Sequence, residues 1–158
     1  MVVYAVGGPR LRNVTRLYGA SLDVLPGRAP RRVDVGNPLT GYLLGPTWYP
    51  HAVNHRWMPQ QATLRVGGPR SAAERLYISG HCPAAMLRSG PLEMTASADG
   101  EILSTVTITH GDAGFAFGFA LPPRLVGQPV VEIEIRVNRT QQVSGRDLGL
   151  AFGVFEIR

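Results

Sequence analysis

From Val130 to Val137 the chain alternates strictly, with Val131, Ile133, Ile135 and Val137 on one side and Glu132, Glu134 and Arg136 on the other. A side-chain period of two marks a strand with one dry and one wet face. The same alternation recurs upstream. Ala62, Leu64 and Val66 interleave with Thr63 and Arg65; Leu76 and Ile78 with Arg75, Tyr77 and Ser79; Leu92, Met94, Ala96 and Ala98 with Glu93, Thr95 and Ser97. Asp99-Gly100 then precedes Ile102–Ile108, a two-residue hairpin signal because a type I′ turn needs positive φ at both central positions. Phe115, Phe117, Phe119 and Leu121 share one face of the next strand, and Gly114, Ala116, Gly118 and Ala120 share the other. The closing stretch, Leu148 to Ile157, is apolar on both sides. Many short strands separated by turn residues, without helical periods between them, predict an all-β antiparallel β-sandwich of jelly-roll type. The phenylalanines are expected to fill an inter-sheet core about 10 Å thick.

The first 44 residues read differently. Asn13 is placed to cap a short helix from Val14 towards Leu25, with Val14, Leu17, Tyr18 and Leu22 at helical spacing and Pro26-Gly27 as its stop. After the polar link Arg28–Arg32, Val33–Val35 and Leu39–Leu44 are expected to form the first strands. The expected organisation is an N-terminal extension over 1–44, with a short helix and first strand or strands packed on the sandwich, and a sandwich domain over 45–158.

At 158 residues the chain has enough core for one domain without covalent staples. Its single cysteine, Cys82, has no intramolecular partner and is expected to be a small buried apolar residue. All sixteen basic residues are arginines and the net charge is +5. They are scattered, with Arg31-Arg32 the only adjacent pair, whereas a nucleic-acid footprint clusters its cations, so no nucleic-acid partner is expected. No run of eighteen apolar residues is present, so no direct membrane insertion is expected of this stretch. The apolar start Met1–Val6, ending in Gly7-Gly8-Pro9, reads as the stub of a longer chain.

Candidate chemistry concentrates between Gly45 and Met58, which holds both tryptophans and two of the four histidines in a proline-punctuated stretch. Binding residues gather on loops of rigid sandwiches. Trp48 and Tyr49 offer flat faces for the C–H face of a sugar ring, and His51, Asn54 and Arg56 offer planar polar groups for its hydroxyls. The structural alternative is that Trp57 begins a strand and plugs the core while Trp48 and Tyr49 cover a sheet edge. His51 and His55 have the four-residue spacing of a helical zinc pair, but Pro50 and Pro59 argue against a helix there, and no metal or cofactor is expected. His81 and His110 are read as lying in separate turns. Glu132 and Glu134 are the best pair of carboxylates for glycoside hydrolysis, yet alternation puts them on a wet sheet face. No phosphate loop or nucleophile elbow appears, and no catalytic residue is assigned. The small-residue strips Gly114/Ala116/Gly118/Ala120 and Gly149/Ala151/Gly153 invite close approach by another backbone or a flat ligand, or cover by the N-terminal segment.

Trp48-Tyr49-Pro50, the following His55-Arg56-Trp57-Met58, the strand Ala62–Val66 and the closing Ser144–Phe152 resemble the small jelly-roll accessory domains of bacterial membrane glycosyltransferases and related cell-envelope sugar enzymes. The resemblance covers roughly 45–158. It implies a non-catalytic module similar to carbohydrate-binding modules, with carbohydrate as its partner. It also implies a membrane-embedded catalytic domain in the same parent chain and an extracytoplasmic location. Beside it stands a structural role: Arg56 and Asp147 as a buried bidentate pair joining the first and last strands. The readings from other classes are an oligomer-forming assembly jelly roll without glycan affinity and a small glycoside-active enzyme.

Overall fold

The computed structural model describes residues 27–158. The helix expected at Val14–Leu25 lies outside them. The long strands form two antiparallel four-stranded sheets, each with one inward apolar row. In the first sheet β1 (Arg32–Asp34) pairs β11 (Ala151–Ile157), which pairs β4 (Arg75–His81), which pairs β7 (Gly114–Ala120). The short β2 (Arg56–Trp57) joins β11 beyond the end of β1. The second sheet runs β3 (Gln61–Val66), β8 (Val131–Val137), β5 (Leu92–Ala98), β6 (Glu101–Ile108). A separate hairpin, β9 (Gln141–Val143) with β10 (Arg146–Leu148), projects before the last strand.

Successive long strands alternate between the sheets except β5 and β6. With β2 and the β9–β10 hairpin set aside and the rest counted in chain order, the sheets read first-eighth-third-sixth and second-seventh-fourth-fifth. This is jelly-roll topology, as the strand pattern predicts. The single in-sheet connection is the Asp99-Gly100 turn, whose positive φ values of 46° and 82° match the expected two-residue hairpin. Asp99 also ties the turn to β8: its amide donates to Glu132 O at 2.9 Å and its Oδ1 accepts from Glu132 N at 2.8 Å.

The core is the meeting of two rows. Val131, Ile133, Ile135 and Val137 lie with Leu64, Val66, Leu92 and Met94 on one sheet, and Leu76, Ile78, Phe119, Phe152 and Phe155 face them from the other. Phe115 and Phe117 are only half-buried, because β7 is an edge strand with no neighbour on its far side. Cys82 is fully buried, and burial pushes its thiol pKa up.

Two expectations about elements are corrected. Pro38–Leu43 is 3-10 helix, not strand: Pro38 presets the first position, Asn37 Oδ1 accepts from Leu39 N at 2.9 Å, and Thr40 Oγ1 donates to Asp34 O at 2.6 Å. His81 is the last residue of β4, not part of a turn.

Candidate functional site

The segment that concentrates the aromatic residues divides into a buried half and a wet half. Leu44–Trp48 lies along the free edge of β3. Gly45 N donates to Thr63 O at 2.8 Å and Thr47 Oγ1 donates to Gln61 O at 2.8 Å. Gly45 is needed here, since a Cβ on it would collide with Thr63 Oγ1. Trp48 ends this run inside the protein. It is 9% exposed, its Nε1–H donates to Thr63 O at 2.7 Å, and its ring meets Phe152 and Phe155 edge-on with centroids 6.0 and 6.3 Å away. An indole so enclosed presents no face to a sugar, so Trp48 serves the core and the sheet edge rather than a stacking platform.

Arg56 is likewise committed within the protein. Its Nε donates to Val35 O at 2.8 Å and its Nη1 to Tyr49 O at 3.2 Å, and partial burial pulls its pKa below the ordinary arginine value. The expected Arg56–Asp147 pair does not form: the Asp147 carboxylate accepts from Gln142 Nε2 instead. The two regions are joined through Tyr49. Its backbone oxygen takes Arg56, and its hydroxyl donates to Asp147 O at 2.9 Å while Arg146 sits 5.4 Å from its ring centroid. Backbone carbonyls satisfy the guanidinium fork here, so a carboxylate is not required.

After Pro50 the chain turns outward in a tight hairpin. His51 bridges Arg56, Ala52 N donates to His55 O at 2.8 Å, and Val53 at the tip is 99% exposed. His51 and Asn54 are exposed on this hairpin, and Asn54 Oδ1 lies 3.2 Å from His55 Nδ1. The hairpin is pressed against Gly36, where any Cβ would collide with the Asn54 backbone.

The hairpin stands beside a shallow groove of about 260 Å³ lined by His55, Ser79, His81, Gly114, Ala151 and Gly153, with Phe115 and Phe152 reaching its wall. Strand register explains the grouping. Trp57 lies opposite Ala151, Ala151 opposite His81, and His81 opposite Gly114, so the four form one row across the outer face of the sheet. Ala151 is buried yet stands apart from the inner core cluster, as a small residue beneath this outer row must be. Trp57 is half-buried and meets the His55 ring edge-on at 6.0 Å. Beside the row, β7 exposes Gly114, Ala116, Gly118 and Ala120 as a smooth strip. A bulge at Gly153-Val154 shapes the floor, pinned by Ser79 Oγ, which accepts from Val154 N at 3.2 Å.

Trp57, which the sequence offers as a strand-starting core residue, and His81, read there as lying in a turn, both face outward beside this groove. The signal for His81 was the alternation of β4, which puts Tyr77, Ser79 and His81 on the wet face. Among the described residues no three His, Cys, Asp or Glu side chains gather in a metal-like cluster. Glu132 and Glu134 lie on the outer face of the second sheet, where Glu134 pairs with Arg136 at 3.1 Å.

No protein-family model matches the chain, and no curated protein matches it. Among solved structures, a family GH115 4-O-methyl-α-glucuronidase with specificity for decorated arabinogalactans superposes with a TM-score of 0.54 at 12% identity, over 83% of this chain. The match spans only 18% of that enzyme's own length. A family 35 carbohydrate-binding module from Clostridium thermocellum aligns at 11% identity and a TM-score of 0.37, over 80% of this chain and 87% of the module. The dimeric latent PorU of Porphyromonas gingivalis aligns at 16% identity and a TM-score of 0.39, over 98% of this chain and 14% of that one. At these identities the first similarity shows a shared β-sandwich fold.

Proposed function

We propose that the chain is a non-catalytic carbohydrate-binding module whose ligand lies in the groove beside the Pro50–Trp57 hairpin. The observation that carries this reading is the outer row Trp57–Ala151–His81–Gly114 with His55 alongside. It sets Trp57 at the end of the row, beside a groove that carries His55 and His81 over the small residues Gly114, Ala151 and Gly153, with Phe115 and Phe152 at its wall. A pyranose has one apolar C–H face and a rim of hydroxyls, and it fits a surface that pairs an aromatic face with planar polar groups at its border. His51 and Asn54 on the hairpin supply further polar groups, and Tyr49 anchors the hairpin's base. A sandwich of this kind also occurs within an enzyme that acts on decorated arabinogalactans, which agrees with an accessory role beside a sugar-processing enzyme. Under this reading the module works outside the cytoplasm, tethered to a membrane-embedded catalytic domain of its parent chain.

Screening the protein on a glycan array, followed by titration of the hits, tests the proposal. Trp57→Ala and His81→Ala are expected to weaken binding by about fivefold or more each, given that an aromatic contact and a lost polar contact are each worth about 1 kcal/mol or more. Tyr42→Ala, at an exposed residue of the 3-10 segment, leaves binding unchanged. A protein that binds no glycan and sediments as a large closed oligomer is an assembly jelly roll instead, and the proposal fails.

A further inference from the structure

A second concavity lies at the other end of the sandwich. It has a volume of about 290 Å³ and is walled by three chain segments, Arg28–Arg31, Gly67–Arg70 and Gly127–Pro129. Glu74, at the foot of β4, lies beside it and His81, at the head of that strand, lines the groove. Seven residues of extended chain therefore separate the two sites, about 23 Å at 3.3 Å per residue.

The walls are fixed. Ala29 N donates to Pro129 O at 3.0 Å, Gly67 N to Pro30 O at 2.9 Å, Gly68 N to Gln128 O at 3.0 Å and Gly127 N to Pro69 O at 2.8 Å. Gly67 and Gly68 are buried where the segments meet: a Cβ on Gly67 would collide with Ala29 O, and one on Gly68 would come within 2.7 Å of both Gln128 O and Leu125 O. Prolines at 30, 69 and 129 stiffen all three segments.

The lining is strongly cationic, with Arg28, Arg31 and Arg70 at the cleft. The nearby carboxylate, Glu74, is already saturated. Arg31 Nη1 donates to its two oxygens at 2.8 and 2.9 Å, and Arg70 N donates to Oε2 at 2.7 Å. Among the described residues neither Arg28 nor Arg70 has a side-chain ion-pair partner. Two guanidinium forks therefore border a preformed cleft, and among the described residues the nearest carboxylate, Glu74, is bonded to Arg31 and to the Arg70 amide rather than to either fork. A guanidinium donates two parallel N–H groups and matches the spacing of oxygens in a carboxylate or a phosphate, which a neutral hydroxyl does not.

We infer that this cleft is a binding site for an oxyanion group, a carboxylate or phosphate presented by a small ligand, held by Arg28 and Arg70 against the glycine-built wall. The inference does not depend on the groove. Glu74 holds Arg31 in place without blocking the cleft, so the site is organised before any ligand arrives.

Titration of the full chain with inorganic phosphate, with glucuronate and with glucose, followed by amide NMR, reads the site directly. The amides of Gly67, Gly68 and Gly127 are expected to shift saturably with phosphate or glucuronate, and not with glucose. Which of the two anions binds more tightly identifies the ligand's group. The double variant Arg28→Gln/Arg70→Gln should weaken binding by about tenfold or more, whereas Arg88→Gln, an exposed arginine elsewhere, retains it. Unshifted glycine amides, shifts that glucose reproduces, or affinity that the double variant keeps would overturn the assignment. A cooperative unfolding transition in the double variant confirms that loss of binding is loss of the site.

Discussion

Trp48 and Trp57 stand at the two ends of one outward turn and have opposite roles. Trp48 packs edge-on against both Phe152 and Phe155 and satisfies its indole N–H on Thr63 O, so its removal opens a core cavity. Trp48→Ala is therefore expected to destabilise the protein by about 3–5 kcal/mol in chemical denaturation, the range for truncating a buried aromatic residue. Trp57 lies on the outer row and is half-exposed. Trp57→Ala should cost no more than about 1–2 kcal/mol in the same measurement while removing the proposed glycan contact. Cys82 is a third case decided by burial. With its thiol fully enclosed and its pKa raised by desolvation, it should resist alkylation by iodoacetamide at neutral pH and react only after denaturant unfolds the chain.

Elements were legible where one periodicity acted alone. β3 and β8 each bury one face against the core, and their alternation foretold the strands and the wet placement of Glu132 and Glu134, while Asp99-Gly100 foretold the hairpin between β5 and β6. Legibility failed where local hydrogen bonds compete with alternation. In Pro38–Leu43 the apolar residues suggest a strand, but proline geometry and the Asn37 cap favour a tight helical turn. The proposed groove was half-legible for a related reason. Composition marked the segment Gly45–Met58, but which tryptophan faces solvent depends on pairing between Trp57 and Ala151, a contact between residues distant in sequence. The Asp99-Gly100 turn lets the element scale be tested. Asp99 adopts positive φ and its carboxylate holds β8, so Asp99→Ala should cost about 1–2 kcal/mol by equilibrium unfolding. Asp99→Asn, which tolerates that conformation and keeps an accepting oxygen, should recover most of it.

Across the whole molecule, the strand order places the two concavities at opposite ends of β4 and gives them opposite characters, one aromatic and glycine-floored, the other arginine-lined. Glu74 is the residue on which the second end depends, because it joins Arg31, just before β1, to the Gly67–Arg70 wall. The Arg70 amide and then the Arg31 guanidinium hold its carboxyl below the ordinary glutamate value. A group whose pKa is lower folded than unfolded binds fewer protons in the native state, so its contribution to stability is complete above the unfolded value and disappears as pH falls through the folded one. The stability difference between the wild-type protein and Glu74→Gln should thus be flat above about pH 5 and shrink steadily below it, the unfolded glutamate value being about 4.3. Denaturation midpoints of both proteins measured from neutral to acid pH check this. Parallel curves down to the lowest pH would mean that Glu74 titrates alike in both states and that its contacts do not hold the wall.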